Sequence, residues 1–218
     1  MSLQELTEFT VKNGFPKFRA KQIFGWLNKN VISFDEMSNI PTNLRLFLES
    51  SCYISVANIE KKLVSRYDNT VKYLFSFNDG ECVEAVVMTY KYGHSICIST
   101  QVGCKMGCTF CATGKSGFSR NLTAGEMLVQ IEAAQRDLNV RISNIVLMGM
   151  GEPLDNFENV VKFIQLVSSD EGLNIGARHI TLSTCGIVPK IYELAAYRFG
   201  ITLSVSLHAP FDELRKEI

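Results

Sequence analysis

From Ile96 onward the sequence alternates short apolar runs with amphipathic stretches, and every run ends in a segment rich in glycine or polar residues. The runs are Ile96–Thr100, Ile142–Met148, His179–Ser183 and Ile201–Leu207, with amphipathic stretches near 123–138, 156–168 and 187–198 between and after them. Strand-length runs separated by helix-length segments predict parallel βαβ units with right-handed crossovers, in an open sheet or part of a barrel. Such folds gather their working loops at the C-terminal ends of the strands. A cysteine cluster follows the first run, Gly149-Met150-Gly151-Glu152-Pro153 the second, Thr184-Cys185-Gly186 the third and His208-Ala209-Pro210 the fourth. All four segments are therefore expected on one rim.

Ahead of this region the patterning differs. Leu3, Leu6 and Phe9 recur near helical spacing, Gly14-Phe15-Pro16 interrupts, and Ile23, Trp26 and Leu27 mark a second helix from about Arg19 to Asn30. Pro41 opens a third, short helix carrying Leu44, Leu46, Phe47 and Leu48. Between about 57 and 88 the segments Val56–Val64, Val71–Phe77 and Cys82–Met88 read as strands, joined by turns at Asp68-Asn69 and Asn78-Asp79-Gly80. The expected division is a small helical module over 1–52, a β-meander over 53–94 and the βα region over 95–218.

With 46% hydrophobic and 20% charged residues the chain lies in the globular range, which excludes fibrous and disordered classes. Its apolar runs fall far short of the roughly 18 residues that span a bilayer, and the N-terminus shows no secretory signal. A cytoplasmic protein without a membrane partner is expected. Lysine plus arginine equals aspartate plus glutamate at 22 each, so any nucleic-acid surface must be local. Lys12, Lys17, Arg19, Lys21 and Lys29 occur with no acidic residue among them, and this is the most basic stretch. It reads equally as the solvated face of an amphipathic helix.

Three of the seven cysteines, Cys104, Cys108 and Cys111, fall within eight residues in the spacing Cys-x3-Cys-x2-Cys. Disulfide frameworks do not cluster thiols this way; a metal site or redox chemistry does. Three thiolates on one tight loop can hold three irons of a four-iron, four-sulfur cluster and leave the fourth open to a substrate. Zinc is the competing metal, but a structural zinc site wants four closed ligands, and no second cysteine pair or His-x3-5-His follows.

This cysteine pattern resembles the radical S-adenosylmethionine (SAM) superfamily, and the glycine-rich segment Gly149–Pro153 has its counterpart there. The resemblance implies a partial (β/α) radical SAM barrel of α/β class, with four of six core strands present. It implies a [4Fe-4S] cluster held by Cys104, Cys108 and Cys111. The open iron would chelate SAM, which reductive cleavage converts to a 5′-deoxyadenosyl radical. Gly151 would let backbone approach the methionine amino group and Glu152 would accept from it. A helix N-terminal carboxylate is the plainer reading of Glu152.

The match is closer still to the adenine-C2 RNA methyltransferases of the RlmN type. It rests on Ser99–Cys104, Phe110–Gly114, Arg120–Thr123, Met148–Pro153, Arg178–Thr184 and Ser206–Pro210, and on Phe18–Ile23 in the helical module over 1–52, which the resemblance implies to be RNA-binding. The resemblance implies methylation of adenine carbon 2 in 23S rRNA and tRNA through a methyl-cysteine, with two SAM per turnover and a flavodoxin or ferredoxin as electron donor. An electron-poor amidine carbon does not attack a sulfonium methyl, which is why such a reaction takes a radical route. By the resemblance Cys97 is the resolving cysteine and Glu84 the proton acceptor, and Ser183, Ser206, Leu207 and His208 bind SAM. Glu84 is a lone carboxylate inside Cys82–Met88, costly to bury without purpose; otherwise it lies on the exposed face of an edge strand. Lys115 and Arg120 are candidates for RNA phosphate contact, while Cys52, Cys82, Cys185, His94 and His179 read as structural. Family members continue well past Ile218 and carry the methyl-bearing cysteine there, so this chain alone is expected to bind a cluster without completing methyl transfer. Another radical SAM reaction, or a zinc-stabilised RNA-binding module, are the alternatives.

Overall fold

The computed structural model describes residues 1–29 and 31–217. Helices α1 (Leu3–Lys12), α2 (Phe18–Leu27) and α3 (Thr42–Ser51) build the N-terminal module around a core of its own, with Leu6, Ile23, Met37, Ile40, Leu44 and Leu48 buried. α1 opens with a capping box, in which Ser2 Oγ accepts the Glu5 N–H at 3.2 Å and the Ser2 N–H donates to Glu5 Oε2 at 2.6 Å. The expected end of the second helix at Asn30 lies outside the described residues.

Strands β1 (Asn58–Val64), β2 (Val71–Ser76) and β3 (Cys82–Tyr90) form the expected meander, with Asn69 (φ 58°) and Gly80 (φ 82°) in its turns. β1 is exposed along its whole length and carries Glu60, Lys61 and Lys62, charges that discourage edge-to-edge pairing. The next strand, expected over Ile96–Thr100, instead runs as β4 (Gly93–Cys97) and pairs antiparallel with β3. Gly93, at φ 127°, reverses the chain directly after Tyr90, and periodicity alone gives no sign of so tight a return.

The cysteine segment that follows is bracketed by β5 (Gln101–Gly103) and β6 (Phe118–Asn121), a short antiparallel pair that the sequence pattern does not disclose, with α4 (Ala112–Lys115) inside it. Then come α5 (Ala124–Leu138), β7 (Ile142–Leu147), α6 (Phe157–Ser168), β8 (Ile180–Thr184), α7 (Val188–Tyr197), β9 (Thr202–Val205) and α8 (Asp212–Glu217). β4, β7, β8 and β9 run parallel, and the main sheet has the order β1-β2-β3-β4-β7-β8-β9. Meander and parallel region thus share one continuous sheet.

Register determines what each face carries. Val86 pairs with Cys97, Cys97 with Val146, Val146 with Thr181 and Thr181 with Thr202, so these side chains share one face. The alternate positions Ile96, Ile145, Leu147, Ile180 and Leu182 are buried in the core with Met127 and Ile131 of α5 and Phe163 and Ile164 of α6. One face is thus sealed by helices, and the other presents Glu84, Cys97, Ser183 and Ser204. Among the described residues β9 pairs only with β8, and Val205 there is 54% exposed. No described helix is long and apolar enough to cross a membrane.

A cavity of about 170 Å³ lies between the module and α5, lined by Phe24, Leu27, Val31, Leu128 and Leu166 and also by Glu132 and Met1. Burial pushes the Glu132 carboxyl from 4.5 up to about 7, with Arg136 one turn along opposing it. The other charged group on the cavity wall is the Met1 ammonium, which burial lowers. At Glu132 the folded chain therefore binds more protons than the unfolded chain between pH 4.5 and about 7, and this group's contribution to stability falls as pH rises through that window, while the lowered Met1 ammonium acts in the opposite sense. Urea midpoints should drop between pH 5 and pH 7.5 by about 2–3 kcal/mol equivalent. Glu132→Gln should remove that component, and an unchanged pH slope in the variant would refute the assignment.

Candidate functional site

The cysteine loop is held at its base by backbone. The Cys104 N–H donates to Gly117 O at 2.9 Å, and the Cys111 N–H donates to Cys108 O at 3.1 Å as α4 begins. Cys104, Cys108 and Cys111 are free and half-buried. Burial pushes the Cys104 thiol up, and the neighbouring Cys108 and Cys111 thiols and the Glu152 carboxylate push it the same way. The Cys104 sulfur therefore lies within electrostatic reach of the other two and of Glu152.

The loop after β7 docks directly on the strand end beside it. The Ile98 N–H donates to Val146 O and the Gly149 N–H to Ile98 O, each at 3.0 Å, and the Thr100 N–H donates to Met150 O at 2.9 Å. A Cβ at Gly149 would sit 2.6 Å from Ile98 O, and one at Gly151 (φ 99°) would sit 2.5 Å from Gln101 Cβ. Both glycines are required by contact between two strand ends of the protein itself, not only by a ligand. Glu152 is 4% exposed; its Oε1 accepts the Leu154 N–H at 2.9 Å and its Oε2 the Cys185 N–H at 2.8 Å. The plainer reading of Glu152 as a helix-capping carboxylate is thus correct as structure, and beyond these bonds and the Cys185 thiol one carboxylate lone pair remains for a further donor.

The third and fourth loops meet the first. Ser183 Oγ and Ser206 Oγ are 3.2 Å apart, and the His208 ring packs at 4.7 Å on Phe110 of the cysteine loop. His208 takes a left-handed φ of 53°, while Leu207 is 59% exposed. The expectation of four segments on one rim is met for these contacts. Cys97 lies below the rim on the unsealed face, its thiol pushed up by burial while the Met148 N–H holds it back.

Two expectations need correction. Glu84 is not buried: its side chain is 48% exposed and pairs with Lys72 at 2.7 Å, and β3 is an interior strand, not an edge. It keeps company with Cys97 because Val86 is the register partner of Cys97 and Glu84 lies two residues along the same face. Arg120 is not free for phosphate. Its guanidinium pairs with Glu126 at 2.8 Å and Asp79 at 2.6 Å, partners that hold it protonated, and Glu126 also caps α5 by accepting the Thr123 N–H at 2.8 Å. Lys115 remains exposed.

Cys185 has a place in the site, as its rim segment Thr184-Cys185-Gly186 leads one to expect, although by itself it reads as a structural thiol. It donates to Glu152, and burial first, then Glu152, Cys108 and Cys104, push its thiol up to about 12. His94 bonds Thr89 at 3.2 Å and His179 bonds Asn144 at 3.0 Å.

The donor set can be tested against the group it would hold. Among the described residues no three His, Cys, Asp or Glu converge closely enough for a single ion. A structural zinc site takes four closed protein ligands, whereas a four-iron cluster can take three and leave one iron open. Three free thiols on one loop, beside a buried carboxylate, fit the larger group.

Comparison with known proteins agrees. Residues 98–218 match the family model described as the radical SAM superfamily. The chain belongs to that superfamily. With membership come its cofactors, a [4Fe-4S] cluster and SAM. Residues 1–54 match the model of the ribosomal RNA large subunit methyltransferase N-terminal domain. A Clostridium botulinum (strain Okra / Type B1) protein named probable dual-specificity RNA methyltransferase RlmN is 57% identical over 218 residues. The alignment covers all of this chain and 64% of that relative. A Clostridium acetobutylicum protein of the same name is 56% identical over 98% of this chain and 62% of its own length. The crystal structure of a radical SAM methyltransferase from Sphaerobacter thermophilus superposes with a TM-score of 0.91 at 42% identity, covering all of this chain and 65% of that one. The chain thus spans somewhat under two thirds of the length of these relatives.

Proposed function

We propose that the protein works as an adenine-C2 RNA methyltransferase acting on 23S rRNA and tRNA in the cytoplasm, with electrons from a flavodoxin- or ferredoxin-like donor. One observation carries the reading beyond the superfamily. The register of β3 against β4 puts Glu84 and Cys97 on the same open face of the sheet, directly below the rim that bears the cysteine loop. A radical SAM enzyme that only abstracts hydrogen has no need of a proton acceptor and a thiol on one face there.

When bound, the cluster and SAM supply one-electron cleavage of a sulfonium and, from it, hydrogen-atom abstraction. Cys104, Cys108 and Cys111 hold the cluster, and Gly151 and Glu152 present a backbone turn and a buried carboxylate to the amino acid end of SAM. Ser183 and Ser206, whose hydroxyls are 3.2 Å apart, would bind the ribose of SAM, and Leu207 and His208 its adenine. Glu84 exchanges its Lys72 partner for the proton leaving the base. Cys97 would resolve the adduct by bonding its sulfur to that of the methyl-carrying cysteine, which lies outside these 218 residues, as that cysteine's S–C bond to the base-linked carbon breaks; a disulfide and the methylated base result.

Residues 1–52 form the RNA-binding module, 53–94 the meander and 95–218 the catalytic region in this reading. In the module Lys12, Lys17, Lys21 and Lys29 are exposed and suited to phosphate, whereas the Arg19 guanidinium is engaged with Gln22 at 2.8 Å and Asn39 at 3.3 Å. The test is nucleoside mass spectrometry of RNA lacking C2-methyladenosine, after incubation with SAM, reductant and reconstituted protein of its relatives' full length, because these 218 residues alone are expected to bind the cluster without completing methyl transfer. C2-methyladenosine is expected in both RNAs; a methyl group at another position, or on another kind of molecule only, would overturn the proposal.

A further inference from the structure

The buried side chain of Gln101 joins the two loops that meet at the site. Its Oε1 accepts the Glu152 N–H at 2.8 Å, and its Nε2 donates to Asn121 Oδ1 at 2.8 Å and to Asp155 Oδ2 at 2.7 Å. That same Asp155 oxygen meets the Lys105 ammonium at 3.0 Å. Lys105 stands between Cys104 and Cys108, and its ammonium also lies 4.3 Å from the centre of the Phe118 ring in β6. A continuous chain of charge-assisted and amide hydrogen bonds therefore runs from the cysteine loop, through Asp155 and Gln101, to the backbone of Glu152.

We infer that Lys105, Asp155 and Gln101 form a positioning clamp that sets the cysteine loop against the Glu152 loop. The loop needs one. Between its anchored ends Gly107 takes φ 68° with no neighbour closer than 4.0 Å to a Cβ built there, and Lys105, Gly107, Thr109 and Phe110 are exposed. Gln101 cannot turn its amide over, because its two ends face opposite partners: an N–H on one side and two acceptors on the other. Asp155 is thereby aimed at Lys105 by a buried group rather than by a mobile surface pairing. The Lys105 side chain is 47% exposed, so solvent screens the pair and the effect is one of placement, not of global stability.

The clamp itself rests on geometry alone; its consequence for SAM rests on the proposed function. Two readouts separate them. In the metal-free protein, Asp155→Ala and Lys105→Met should each raise the alkylation rate of Cys104 and Cys108 about fivefold, with Lys105→Arg close to wild type. In reconstituted protein the same two variants should keep the wild-type iron and sulfide content yet bind SAM about fivefold more weakly, and the double variant should be no worse than either alone. Wild-type alkylation rates in both single variants, or losses that multiply in the double variant, would overturn the clamp. Failure of the wild-type protein to bind SAM would instead count against the proposed function, with the alkylation rates still deciding the clamp. Lys105→Met alters an exposed side chain, so a folding defect of Asp155→Ala would leave the test standing.

Discussion

Replacing Cys104, Cys108 or Cys111 singly by alanine is expected to bring iron in the reconstituted protein down to background and to abolish reductive cleavage of SAM. Each thiol belongs to one loop of eight residues whose ends are tied by the Cys104 N–H to Gly117 O at 2.9 Å and the Cys111 N–H to Cys108 O at 3.1 Å. Two thiolates of the loop then remain for a cluster that takes three from the protein. The other cysteines provide the contrast. Cys52 packs against the helical module's core and Cys82 lies in β3 with its thiol directed at Gly80 O, so Cys52→Ala and Cys82→Ala should keep full iron. Cys185→Ser should keep it too, since the Cys185 N–H, not its sulfur, supplies the 2.8 Å bond to Glu152. Iron and sulfide analysis with visible absorbance checks all six variants. Retention of iron by any of the first three, or its loss from all of the second three, would mean that the ligands have been misassigned.

Patterns that repeat along the chain are legible in the amino-acid sequence itself. The amphipathic stretches near 123–138, 156–168 and 187–198 correspond to Ala124–Leu138, Phe157–Ser168 and Val188–Tyr197, because a helix shows its buried stripe every third or fourth residue. The loops of the rim are legible for a related reason: each follows a strand, and parallel strands end on the same side. Pairings between distant residues are not. Nothing near Arg120 in sequence announces that Asp79, 41 residues earlier, takes its guanidinium. Nothing near Glu84 announces Lys72 on the neighbouring strand, so a carboxylate within an apolar run reads as buried where it is half exposed and paired. β5 and β6 are hidden because strands of three and four residues, one with glycine and one with polar residues, have no periodicity to display. Gln101 is one polar residue in a motif by its sequence, yet it is fully buried and joins the two loops; an amide's partners are set by tertiary contact.

The same short pair of strands gives the second large effect. Gly103→Ala is expected to lower stability by about 3–4 kcal/mol and to strip the iron site, while Gly117→Ala costs only about 1 kcal/mol. The two glycines have nearly the same backbone, φ 77° and φ 73°, so the strain of a left-handed alanine is common to both. They differ in what a Cβ would meet. At Gly117 nothing lies within 4 Å, whereas at Gly103 a Cβ would overlap the Gly117 carbonyl oxygen and sit 2.9 Å from Phe118 Cα. Those atoms are backbone, and no rotamer change moves them away. Relief requires opening the pairing of Gly103 with Phe118, which carries off the carbonyl that accepts the Cys104 N–H at 2.9 Å. Urea unfolding and iron content of the two variants measure the difference directly. Equal loss in both would show that left-handed strain alone governs the pair, and that the base of the cysteine loop tolerates the displacement that the close approach at Gly103 forbids.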